Sequence, residues 1–123
     1  MKNFLKIILI NLFVGIIVDE IFTIKADVKV MICLESIGYF SDKPKSQTFP
    51  IGFLKWFYPT TGNFIAVVSN LKSHFIAREI QELMGDHSYI DVQQLTAISL
   101  LPGVDFSDHL NFWKYGYKAV MIT

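Results

Sequence analysis

Strand-length apolar runs alternate with helical patterning along this chain, and that alternation restricts its fold more than any other feature. Val28–Leu34 (VKVMICL), Gly62–Ser69 (GNFIAVVS), Gln93–Leu100 (QQLTAISL) and Tyr117–Ile122 (YKAVMI) read as strands. Val30, Met31, Ile32 and Cys33 are too continuously apolar for a half-exposed strand, so the first run is expected to be covered on both faces. After the second run Asn70 reads as an N-cap, and Ile76, Ile80, Leu83 and Met84 recur at helical spacing. Arg78, Glu79 and Glu82 fall elsewhere on that helix, and Gly85 is expected to stop it. Ser107 caps a short helix ending near Gly116. Strands alternating with helices predict an α/β fold with a largely parallel sheet. Ser41–Pro59, with Pro44, Pro50 and Pro59, is a loop longer than most connections in a compact domain, so it is either functional or covering surface.

At 123 residues the chain is one small domain. Eleven Lys and Arg balance eleven Asp and Glu, so no charge excess points to nucleic acid or an anionic membrane. The mixed cluster Lys55-Trp56-Phe57-Tyr58 carries too little charge for a nucleic-acid groove. A hydrophobic fraction of 52% supplies enough apolar material for a packed core. The one cysteine, Cys33, excludes an internal disulfide and reads as a small buried hydrophobe, since no basic neighbour would activate it.

The N-terminus differs in character. Lys2 and Lys6 precede Ile7–Val18, 12 residues without a charge, and Asp19-Glu20 follow. A spanning helix needs about 20 apolar residues, so this run is short for one. A positive flank before a short apolar run is the shape of a secretory signal or anchor, but no small-x-small cleavage site follows Val18. A buried strand or helix fits the run equally. Residues 1–26 are therefore set apart from 27–123. The chain is secreted or membrane-associated, with membrane contact through residues 7–18, if residues 2–18 act as a signal, and cytoplasmic otherwise.

In parallel α/β sheets ligands gather beyond the carboxyl ends of strands. Glu35 stands at that end of the first strand, a lone carboxylate after an apolar run. The loop Leu101–Phe106 follows the third strand and delivers Ser107-Asp108-His109 to a helix start. Asp108 there is also explained by the helix dipole alone, and His109 either orients a ligand, binds a metal or is an exposed loop-edge histidine. His74, between Lys72 and Arg78, and His87, in a polar turn, read as surface histidines. No nucleophile elbow, phosphate loop or paired-cysteine zinc motif is present in the sequence.

Four ordered motifs carry a family resemblance: LESIGYF at 34–40, SQTFP at 46–50, YPTTGNFIAVVSN at 58–70 and LPGVDFSDHLNFWKYGYKAVMIT at 101–123. Together they resemble the later half of the two-zinc exopeptidase domain of metallopeptidase family twenty-eight, which includes aminopeptidases, glutamate carboxypeptidase and glutaminyl cyclase. The resemblance covers about residues 27–123. It implies an incomplete three-layer αβα domain with a mostly parallel sheet of about four strands, zinc as cofactor (two ions in the intact family) and a peptide substrate. Glu35 takes the place of a carboxylate zinc ligand, with Ser36 where methionine is usual. Asp108 and His109 take the places of residues lining the pocket without being principal ligands.

The family's upstream ligands, a histidine, a bridging aspartate and an adjacent glutamate pair including the general base, have no counterpart in Met1–Lys25. Its last ligand histidine falls beyond the strand ending at Thr123. A catalytic zinc holds three protein ligands, and a two-metal site needs a bridge between ions roughly 3.5–4 Å apart. The expectation is a truncated aminopeptidase-like domain that does not hydrolyse peptides by itself. The alternative is a non-catalytic, membrane-attached or binding remnant of that fold, prone to self-association through exposed sheet edges.

Overall fold

The computed structural model describes residues 15–49, 51–96 and 108–123. Within them four strands form one sheet: β1 (Met31–Leu34), β2 (Phe64–Ser69), β3 (Asp91–Thr96) and β4 (Ala119–Ile122), in the order β1-β4-β2-β3. β1 pairs parallel with β4 and β2 with β3, whereas β2 and β4 meet antiparallel. The sheet is therefore mixed. Residues 15–23 (α1), His74–His87 (α2) and His109–Lys114 (α3) are helical. The architecture is a small α/β fold.

The apolar runs form strands because alternate residues find cover on opposite faces. Val67 and Val120 point to one face, where they pack with Val92 and with Ala77, Ile76, Ile80 and Met84 of α2. Val68 and Met121 point to the other face, against Ala66, Leu95 and Trp113 of α3. Burial of each such side chain contributes on the order of 2 kcal/mol. Cys33 is buried, as its position in the run implies.

Asn70 caps as expected: its Oδ1 accepts the Ser73 N–H at 2.9 Å, across a short 3-10 turn that leads into α2. The helix does not stop at Gly85 but runs on to His87. The His87 ring nitrogen Nδ1 lies 2.9 Å from the Leu83 carbonyl, so the imidazole folds back over the last turn. At the end of α3 the expected glycine does act. Gly116 adopts φ 77°, and Lys72 donates to its carbonyl.

The expectation of a doubly covered first strand is corrected. Ile32 and Leu34 are 49% and 60% exposed. β1 lies at the sheet edge, and Ile32 and Leu34 pair with Val120 and Ile122, on the face where α2 packs over Val67, Val92 and Val120. The opposite face of β1 meets α3. The long loop is ordered by a 3-10 helix, Gly52–Trp56, with Leu54 buried and Phe53 and Trp56 exposed.

Of the N-terminal run, residues 1–14 lie outside the described residues, as do Ala97–Leu100 of the expected third strand, the loop Leu101–Phe106 and the expected cap Ser107. Val18 is fully buried, and the Tyr115 hydroxyl donates to Asp19 at 2.8 Å, which ties α1 to the end of α3. Among the described residues no helix is long and apolar enough to cross a membrane.

Candidate functional site

β1 ends at Leu34, but the Glu35 N–H still donates to the Ile122 carbonyl at 2.9 Å, so the acid leaves the sheet at a fixed point. Ser36 then takes φ 54°, a left-handed conformation costing a non-glycine residue about 1 kcal/mol, and turns the chain away at once. The Glu35 side chain is exposed, with the Ser36 hydroxyl 3.5 Å from its Oε1.

Asp108 immediately precedes α3, and α3 packs on β1 and β4. Partial burial raises the Asp108 pKa, and the nearby negative charge of Glu35 raises it further. The two carboxylates singled out from sequence are thus within electrostatic reach of each other. His109 is fully buried, its ring edge-on to Trp113 with centroids 4.4 Å apart, so the reading as an exposed loop-edge histidine does not hold. Trp113 in turn donates its indole N–H to the Ala119 carbonyl at 2.8 Å.

The raised Asp108 pKa has a consequence for stability. The folded chain holds this proton more tightly than the unfolded chain, so stability falls as pH rises from the ordinary carboxylate range through the raised value. Asp108→Asn is expected to flatten that part of the profile and to leave stability at neutral pH equal or higher. Urea unfolding of both proteins between about pH 3 and pH 7 checks this. A pH dependence identical in the variant would remove Asp108 as its source.

Among the described residues no group of three His, Cys, Asp or Glu side chains is placed to hold a metal ion. A zinc centre takes three or four protein ligands. Glu35 and Asp108 offer two carboxylates, and the His109 ring is packed within the fold. These residues do not fit a complete two-zinc site.

A second polar cluster escaped the sequence reading. His74 is half-buried rather than on the surface, with Nδ1 2.7 Å from Thr96 Oγ1 and 3.1 Å from Gln94 Nε2. The same Gln94 amide nitrogen donates to the His74 carbonyl, which identifies it as a donor. Tyr58 donates its hydroxyl to the Gln94 carbonyl at 3.1 Å, and burial raises the Tyr58 pKa. No local pattern in the sequence links these positions. A cleft of about 200 Å³ opens at the far ends of β1 and β4, beside Ser36, Tyr39, Gln47 and Thr123, and its lining is uncharged.

Over 101 residues, 82% of its length, the chain is 38% identical to the uncharacterized protein YfbL of Escherichia coli (strain K12). The match covers 31% of YfbL, so the chain spans about a third of the curated relative it matches. The chain is similar to part of YfbL. No family model matches it, and no solved structure does.

Proposed function

We propose that this chain is part of a two-zinc exopeptidase domain, an incomplete three-layer αβα unit with a mostly parallel sheet, whose substrates in the intact form are peptides. Glu35 supplies a carboxylate to one zinc, and Asp108 and His109 support the pocket from behind. Alone, the chain is catalytically silent. The observation that carries this reading is that Glu35, at the end of β1, lies within electrostatic reach of Asp108, at the start of α3, two acids from distant parts of the sequence. The ordered motifs across 27–123 support it.

The purified chain, dialysed against micromolar zinc, is expected to retain far less than one ion and to release no arylamine from an aminoacyl-arylamide. Chelator-sensitive hydrolysis by the chain would sink the proposal of silence. For the role of Glu35, the residual zinc affinity of the chain is titrated at millimolar zinc, where Glu35→Ala is expected to bind more weakly than the parent. A titration curve for Glu35→Ala that matches the parent would remove that residue from the metal site.

A non-catalytic binding remnant of the same fold is the second reading. The apolar face of β1, bare among the described residues, favours it.

A further inference from the structure

β1 presents an edge that nothing in the described fold covers. It closes the sheet on one side, paired only with β4. The N–H groups of Met31 and Glu35 donate to Lys118 and Ile122, so odd-numbered residues turn their backbone groups toward β4. In a parallel pair, the intervening residues then turn theirs outward. Val30, Ile32 and Leu34 therefore offer a row of N–H and C=O groups on the open edge. None of the usual guards stands there: no proline, no bulge and no inward-pointing charge interrupts Val30–Leu34.

We propose that the occupant of this edge is the β1 of a second copy, paired antiparallel about a two-fold axis at Ile32 to give a continuous eight-stranded sheet. Backbone parity leaves few registers, because each outward residue must meet another outward residue. Centring on Ile32 places Ile32 against its own symmetry mate and Val30 against Leu34 on one face. On the other face Met31 meets Cys33, and Lys29 meets Glu35. The exposed Ile32 and Leu34 side chains, 49% and 60% accessible in the single chain, gain cover where α2 leaves them bare.

Charge selects the same register. Lys29 is 81% exposed and makes a surface pair with Asp27, which contributes little to stability. At the other end of the strand stand Glu35 and, within its field, Asp108. The antiparallel match brings each lysine to the partner's acidic end, so the contact forms twice per dimer. Shifting the register by two residues loses this pairing. The chain's zero net charge offers no overall repulsion against association.

The test is sedimentation equilibrium of the whole chain and three variants over a wide concentration range. The parent is expected to reach twice its 14.1 kDa mass. Lys29→Glu sets glutamate against Glu35 and is expected to weaken the dimer about tenfold, as is Glu35→Lys, which sets lysine against Lys29. The double variant restores opposite charges and should recover most of the loss. Far-UV circular dichroism and thermal melts at concentrations where all four are monomeric, expected to match, separate lost association from lost folding. A parent that stays monomeric overturns the proposal. A dimer indifferent to the single reversals, or not restored by the double one, overturns this edge and register. Zinc plays no part in these readings, so the outcome does not depend on the exopeptidase assignment.

Discussion

Trp113→Ala is expected to destabilise the fold by about 3 kcal/mol, read as a fall in the urea midpoint. Trp113 is the main side chain that α3 lays on its face of the sheet, packed over Val68 and Met121. Its indole N–H also holds the Ala119 carbonyl, and its ring meets the edge of the buried His109. Truncation removes the packing, orphans an acceptor at the start of β4 and uncovers an imidazole. Trp113→Phe keeps most of the ring and loses only the hydrogen bond, so its cost should be nearer 1 kcal/mol. Equal destabilisation in the two variants would mean that the hydrogen bond, rather than the packing, sets the cost.

Ser73→Ala is expected to cost about 2 kcal/mol, although it removes a single oxygen. β2 ends at Ser69, opposite Val120, so Ala119 has no strand partner on that side. The Ser73 hydroxyl takes the place of the missing strand and accepts the Ala119 N–H at 3.1 Å. Both residues are fully buried, so water cannot replace the lost acceptor. Native-state hydrogen exchange at the Ala119 amide gives a site-specific check: exchange should accelerate in Ser73→Ala well beyond the change at neighbouring amides of β4. A uniform acceleration would mean that the substitution merely loosened the fold.

The interior of the sheet was legible because it depends on periodicity. Val67 and Val68, and Val120 and Met121, are adjacent apolar pairs, and a strand buried on both faces needs such pairs. Asn70 was legible as a cap because capping is a local bond between near neighbours. Gly85 misled, because a glycine ends a helix where it turns left-handed, and Gly85 keeps the helical backbone while α2 runs on to His87. The first strand misled in a different way. Its apolar run matches that of a covered strand, but cover belongs to neighbours, and α2 packs where β2, β3 and β4 lie.

The candidate site divides along the same line. Glu35 was conspicuous as a lone acid after an apolar run, and Asp108 as an acid at a helix start. Nothing in either segment states that they come within electrostatic reach of each other. His74 looked like a surface residue because its helix neighbours are charged, while the groups that bury it, Gln94 and Thr96, come from β3.

By itself, then, the sequence determined the element types, the principal cap and the apolar positions of the core, since these follow from periods and bonds spanning a few residues. Only the tertiary structure decided that β2 and β4 run antiparallel, that β1 is an edge with one bare face, that His109 is buried beneath the fold and that Glu35 and Asp108 share a field. Each of those outcomes depends on which surface packs against which, and that is a competition among distant segments that no local pattern records.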